Sequence, residues 1–401
     1  MMIRTLLAAS LLLVAPTALA DGGKGKNNTL QTLLEADGHG VRGLPWFYQA
    51  PESLSSQFGI DAIPAPRITL DPIDHEFLLA EDEVRGANKP LRFAVSRPVD
   101  ISLEWGEWIE VEGGSIWRVE ISGDGALNGR LEFRGVALGA GEQLTVSVPG
   151  MEGSTVGPIE GVGEFGNGTA WGLCMPDAVT RIDWFVPAGA RVKALPFDAV
   201  DYWHGYRDIW RGVMASSEGD GGVAGNCHND PACYATWANE SNGTVRLLFG
   251  GFLCSGQLTA TTAADETPYI TTANHCISTS SVANSCQFNF FYRRNTCGGT
   301  ISAGVNITGA DLSATQLASD NTLLMIRPTL PSGIGWVGWT NVNPLTNTPS
   351  TGLHHPSGDR QAISFGVKNA NSFNCGSPST NWHSLSWNSA VTEGGSSGSA
   401  I

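Results

Sequence analysis

A serine hydroxyl becomes a useful nucleophile only when a base takes its proton, and the base works only when a third group fixes its tautomer. Ser397 stands in Thr392-Glu-Gly-Gly-Ser-Ser-Gly-Ser399, a glycine-rich turn whose backbone can bend sharply and approach a substrate closely. Among eight histidines, His275 is the candidate base. It ends the apolar run Tyr269-Ile-Thr-Thr-Ala-Asn-His-Cys276, beside a cysteine able to tie its loop to a neighbouring strand, with Cys254 in Gly251-Phe-Leu-Cys-Ser-Gly256 as a candidate partner. Asp320 is the candidate acid, at the head of the apolar stretch Asn321-Thr-Leu-Leu-Met-Ile326. An Asp in that place either forms a turn or accepts from an imidazole N–H; taken singly, the turn reading carries more weight. Asp311 is a decoy, followed by Leu-Ser-Ala-Thr rather than by an apolar strand.

These residues need β elements to hold them. Short strands are expected at 245–249, 253–258, 269–272, 288–292 and 323–326, and no strand–helix alternation suggests a parallel sheet. Upstream, residues 91–195 alternate with period two. Trp117, Val119 and Ile121 oppose Arg118 and Glu120; Leu131 and Phe133 oppose Arg130 and Glu132; Leu144, Val146, Val148 and Ile182, Trp184, Val186 repeat the pattern. This predicts an antiparallel sandwich or jelly roll with one wet face per sheet. Between the two regions, Ser216-Ser-Glu-Gly-Asp-Gly-Gly-Val-Ala-Gly225 reads as an exposed linker and processing site. Only Cys174 precedes it, and the other seven cysteines follow, which points to two domains.

The chain has 401 residues, 41% hydrophobic and 15% charged, with 50 Gly and 13 Trp, a balance that favours strands and turns over helices. A formal net charge of −15 argues against nucleic-acid partners and suits a soluble acidic surface. Residues 1–20 read as a secretory signal peptide ending Ala18-Leu-Ala20, too short to span a membrane, and the following 21–28 as partly disordered. The expected location is extracellular or periplasmic, where disulfides form.

The order His275, Asp320, Ser397 resembles the chymotrypsin-fold serine proteases, with Ala-x-His-Cys, Asp-x-x-Leu-Leu and Gly-x-Ser-Gly-Ser pieces. Thr271-Thr-Ala-Asn-His-Cys276, Ser319-Asp-Asn-Thr-Leu-Leu324, Trp336-Val-Gly-Trp339, His354-His-Pro356 and Thr392–Ser399 narrow the resemblance to the bacterial lysyl-endopeptidase-like branch, over roughly 220–401. The resemblance implies an all-β architecture. Residues 21–220 would be a pro-region with a β-sandwich-like domain at about 91–195, and 221–401 a two-barrel antiparallel protease domain lacking its last strands. It implies catalysis by His275, Asp320 and Ser397 through an acyl-enzyme, an oxyanion hole of the Gly395 and Ser397 N–H groups, and no cofactor or metal. It also implies disulfides Cys254–Cys276 and Cys233–Cys297, with the partner of Cys227 beyond Ile401. Cys286 with Cys375 is a conjecture, since eight cysteines leave connectivity open. Substrates would be proteins or peptides, the pro-domain an internal partner, and the protein a monomer. Ser396 stands where many relatives carry Asp, so activation is expected by removal of the covering domain rather than by a buried N-terminal amine.

Other readings are weaker. Gly394-Gly-Ser396-Ser-Gly398 also fits a lipase elbow, but no His follows it. A secreted esterase with the same triad and an inactive protease-like binding protein remain the alternatives. Cys227-His-x4-Cys233 could be read as zinc ligands, with a disulfide favoured. His354 and His355 are expected to be structural, Trp336 and Trp339 core, and His228 exposed and without a role.

Overall fold

The structure, a computed structural model, describes residues 49–85, 89–214, 224–373 and 382–401. The expected signal peptide, the segment 21–28, most of the 216–225 linker and Cys375 lie outside the described residues. Among the described residues, no helix is long and apolar enough to cross a membrane.

The N-terminal half is built from β1 (Arg67–Leu70), β2 (Leu91–Arg92), β3 (Ala94–Val99), β4 (Glu107–Val111), β5 (Gly114–Gly123), β6 (Asn128–Arg134), β7 (Gln143–Ser147), β8 (Val156–Ile159), β9 (Ala170–Trp171), β10 (Thr180–Pro187) and β11 (Ala199–Gly205), with helices α1 (Leu54–Gln57) and α2 (His75–Arg85). One sheet runs β1-β5-β10-β7-β8 with β4 on β5; the second runs β3-β11-β6-β9. The two sheets face each other across one core that contains Trp117, Val119 and Ile121 from β5, Leu131 and Phe133 from β6, Ile182 and Trp184 from β10, and Tyr202 from β11. The alternation seen in the sequence thus aims one set of side chains inward. β1 pairs β5 in parallel, an exception to the antiparallel pattern.

The polar sets are not wet, which corrects the expectation of a solvated face on each sheet. Arg118 and Asp183 are fully buried, and Glu120 and Arg181 nearly so. Residues 53–64 cover that face. Ser55 donates from its N–H and hydroxyl to Asp183 at 3.0 and 2.9 Å, and Arg118 donates to the carbonyls of Ile60 and Ile63 at 2.9 and 2.8 Å. Arg181 closes an ion pair on Glu120 at 2.9 Å. Buried polar groups persist there because most of their donors and acceptors find partners, Arg118 Nε being an exception.

The C-terminal half holds β12 (Thr244–Phe249), β13 (Phe252–Leu258), β14 (Tyr269–Thr272), β15 (Gln287–Phe290), β16 (Val305–Thr308), β17 (Ala310–Gln316), β18 (Asn321–Ile326), β19 (Pro349–His354), β20 (Ala362–Phe373) and β21 (Trp382–Ser389). An eight-stranded sheet runs β16-β15-β12-β13-β14-β18-β17, with β2 added on β13. Its two ends, β16 and β17, are separated in the chain by Gly309 alone, so the sheet curls round a core of Val245, Leu247, Leu258, Ile270, Phe288, Phe290 and Leu324. The remaining strands form the sheet β19-β20-β21.

The outer face of the second sandwich sheet docks on this barrel. Arg130, also from a predicted wet face, is fully buried, and burial lowers its pKa to about 10. Its Nε donates to Gly172 O at 2.8 Å and one Nη to Ser285 O at 2.7 Å across the junction. Gln287 exchanges two hydrogen bonds with the Cys174 backbone, at 2.7 and 3.0 Å. Phe93, Cys174, Ile209 and Trp210 share a core with Leu248, Leu253 and Tyr292. On β12, the fully buried Arg246 stacks between Trp210 and Tyr292 at 4.1 and 3.9 Å, donating to Ile209 O and Gly358 O at 2.7 Å each.

Candidate active site

Asp320 ends the tight connection between β17 and β18 in a left-handed conformation (φ 49°), which its short polar side chain tolerates. The turn and acceptor readings therefore hold together. Asp320 Oδ1 accepts the His275 backbone N–H at 2.8 Å, and Oδ2 lies 2.7 Å from His275 Nδ1. Facing a carboxylate, Nδ1 carries the proton, which leaves Nε2 as the acceptor. The Asp320 side chain is 4% exposed and that of His275 26%, so the carboxylate is screened from water while the imidazole is reachable.

The loop carrying Ser397 is fastened to β13. Ser255 donates its N–H to Ser397 O at 2.8 Å and its hydroxyl to Gly395 O at 2.9 Å. β13 is tied to the segment after β14 by the Cys254–Cys276 disulfide, adjacent to His275. A Cβ on Gly398 (φ 83°) would fall 2.2 Å from Thr272 Oγ1 and 2.9 Å from Ala273 N, so the nucleophile loop presses against residues just before His275. Among the described residues, no hydrogen bond joins Ser397 Oγ to His275, a contact that often tightens only when substrate binds.

Gly395 has φ 90°, and a Cβ there would meet Leu253 Cδ1 at 2.7 Å and Gly358 N and His355 O at 2.9 Å. Only glycine fits. The N–H groups of Ser396 and Ser399 are used within the turn, by Glu393 O and Ser396 O, whereas those of Gly395 and Ser397 have no partner among the described residues.

The structure also reveals supports that the sequence pattern concealed. Ser396 Oγ lies 2.8 Å from Nδ1 of the fully buried His354, whose Nε2 meets Ser364 Oγ at 2.9 Å. Burial first, then the neighbouring His228 and His355, hold the His354 pKa well below its ordinary value, so the ring is neutral. Its work is to pin the residue before Ser397. Glu393 Oε1 accepts from Gly225 N and meets His228 Nε2, each at 3.0 Å, and Oε2 accepts from Ser357 Oγ at 2.6 Å. Burial pushes the Glu393 carboxyl up, but the hydrogen bonds from Ser357 and His228 outweigh it and leave the pKa below the usual value. His228 is therefore neither exposed nor idle: its side chain is 5% exposed. No local motif marks these contacts, because each partner is remote in the chain.

Cys233 is bonded to Cys297, so the zinc reading at Cys227-His-x4-Cys233 loses a ligand: a disulfide sulfur is no thiolate. Cys227 is an exposed free thiol and Cys286 a buried one; Cys375, the conjectured partner of Cys286, lies outside the described residues. Trp339 is 42% exposed, its indole N–H donating to Ala260 O at 2.9 Å, which corrects its expected place in the core; Trp336 is half-buried against the barrel. Asp311 pairs with Arg327 at 2.8 Å, away from His275. A cavity of about 470 Å³, lined by residues such as Pro51, Val156, Leu173, Ile307 and Pro328, includes none of the three candidate catalytic residues.

Residues 221–401 match the family model described as Lysyl endopeptidase, C-terminal domain. A Lysyl endopeptidase of Pseudomonas aeruginosa is 27% identical over 216 residues, covering 50% of this chain and 44% of its own length. The chain thus spans less than half of that relative. Among solved structures, Deg5 has 14% identity and a TM-score of 0.29, covering 42% of this chain and 77% of its own. The MamO protease domain of Magnetospirillum magneticum has 15% identity and a TM-score of 0.29, covering 40% and 78%. Scores this low bear on neither fold nor function; the curled antiparallel sheets and the match over residues 221–401 support a chymotrypsin-fold serine protease domain there, similar to the lysyl endopeptidase C-terminal domain.

Proposed function

We propose that the protein is a secreted serine endopeptidase made as a zymogen. The observation that carries this reading is the double grip of Asp320 on His275, at 2.8 and 2.7 Å, on a segment disulfide-linked to the strand that holds Ser397. In the reaction, His275 Nε2 takes the Ser397 proton as Oγ attacks the scissile carbonyl. The oxyanion accepts from the Gly395 and Ser397 N–H groups, each worth about 3 kcal/mol of barrier. His275 then protonates the leaving amine, and water, deprotonated by the same ring, hydrolyses the acyl-enzyme. Asp320 holds the ring and stabilises its charged form without itself being protonated. The chemistry uses no cofactor.

Residues 21–220 act in this reading as the pro-domain and internal partner, with 221–401 the protease domain. Cleavage between about Val213 and Cys227 releases a monomeric enzyme outside the cytoplasm, acting on proteins or peptides. Lysine on the acyl side, taken from the relatives' name, is the preference to test first. Labelling by a fluorophosphonate probe is expected in the wild type and lost in Ser397→Ala; persistence in that variant sinks the assignment. Intact-mass analysis showing a stable, uncut secreted form would count against the zymogen.

A further inference from the structure

One edge of β13 is shared by three segments in succession. β14, which leads to His275, takes Gln257 and Leu258; the carbonyl of Ser397 takes the Ser255 N–H; and β2 from the N-terminal half takes Phe252 and Leu253, in the antiparallel pairs Phe252↔Arg92 and Leu253↔Leu91. The opposite edge is filled by β12. β2 therefore lies beside the nucleophile loop on the same strand edge. Leu91 packs over that loop: a Cβ on Gly394, the neighbour of Gly395, would sit 3.7 Å from Leu91 Cδ1. The ladder ends at the pair Leu253↔Leu91, two residues along β13 from Ser255, whose N–H the Ser397 carbonyl takes.

We infer that Leu91–Arg92 is an inhibitory strap, which occupies the strand edge where the leaving half of a peptide substrate must run. An extended peptide binds a sheet edge through main-chain hydrogen bonds, and this edge is already taken. The inference rests on the protease reading above. The strap is anchored independently of the linker. Arg92 pairs with Glu81 and, at 2.8 Å, with Asp82 of α2, and the Phe93 N–H donates to Gly251 O at 2.8 Å. Cutting between Val213 and Cys227 therefore leaves the edge covered, and activation takes two events: scission of the linker, then departure of β2.

The test uses the full chain, cut in the linker, as wild type and as Leu91→Ala. Three rates are read: fluorophosphonate labelling of Ser397, hydrolysis of a chromogenic amide that ends at the scissile bond, and hydrolysis of peptides that continue past it. Labelling should be alike in both proteins. The rate on extended peptides, relative to the chromogenic amide, should rise about tenfold in Leu91→Ala, the factor carried by one or two ordinary hydrogen bonds. An unchanged ratio, with labelling intact, overturns the strap and leaves the protease reading standing. Absence of labelling in every sample overturns both. Arg92→Gln, which loosens the strap from α2 without touching the C-terminal half, must move the ratio the same way and serves if Leu91→Ala fails to fold.

Discussion

Asp320→Asn is the sharpest perturbation of the site. An amide oxygen can keep the 2.8 Å bond from the His275 backbone N–H, so the loop geometry is expected to survive. The other bond, 2.7 Å from His275 Nδ1, then faces an NH2 group. Two donors cannot pair, so Nδ1 gives up its proton, Nε2 carries it, and the ring can no longer accept from Ser397. Loss of a charge-assisted hydrogen bond costs about 1.5–3 kcal/mol, and the wrong tautomer and an unsupported imidazolium add to it. Together they should lower kcat by about a thousand- to ten-thousandfold, roughly 4–5 kcal/mol of barrier. The assay is kcat and KM on a peptide amide beside fluorophosphonate labelling, with circular dichroism confirming the fold. KM should move little. A correctly folded variant whose kcat stays within about tenfold of wild type would refute the tautomer argument.

Other outcomes follow from the same geometry. Gly395→Ala places a Cβ 2.7 Å from Leu253 Cδ1 at φ 90°, so the loop must shift and the oxyanion donor with it; kcat should drop about a hundred- to a thousandfold, and a loss under about threefold counts against the assigned donor. Replacing Cys254 and Cys276 together by Ala opens a bridge of separation 22, which should cost about 3 kcal/mol in denaturant unfolding and lower kcat by loosening His275; unchanged kcat would separate the bridge from catalysis. Acid should destabilise the fold. Burial, then the Arg246 charge, lowers His355 to about 3, so it stays neutral in the fold but is protonated when unfolded below about pH 6.5. Its contribution is complete above that pH and declines as pH falls toward 3, by up to about 1.4 kcal/mol per unit. Glu393, lowered by its partners, acts in the same direction below the usual carboxylate range. Thermal unfolding from pH 7 to 4 should steepen accordingly, and His355→Gln should flatten the curve; identical slopes would dismiss His355 as a source.

The strands and the order of chemical residues were readable because they are local. Period two in 117–121 aims a side-chain row inward, and apolar runs ending in His275 or starting after Asp320 announce strand ends. The contacts that finish the site are not local. Alternation assigns Arg118 and Arg130 to solvent because it says nothing of a second layer; residues 53–64 cover one and the barrel covers the other. Glu393 meets Gly225, and Ser396 meets His354, across separations that no motif spans. Trp339 reads as core by composition, yet its indole needs only one carbonyl at the surface.

Arg246 has a consequence for how the molecule is assembled. This cation sits on the interior strand β12, yet one of its three oxygen acceptors, Ile209 O, and one of its two flanking rings, Trp210, come from the other half, while Asn289 Oδ1 and Gly358 O belong to its own. An isolated C-terminal half would lack one acceptor and one flanking ring for that buried charge, which raises a barrier on the route to its native state. In the proposed zymogen the upstream half would thus be a mould as well as a cover, supplying the cation's remaining acceptor and ring while the barrel closes. On that proposal, once the upstream half is cut away the persistence of the barrel becomes a matter of how slowly it unfolds rather than of how readily it would form again.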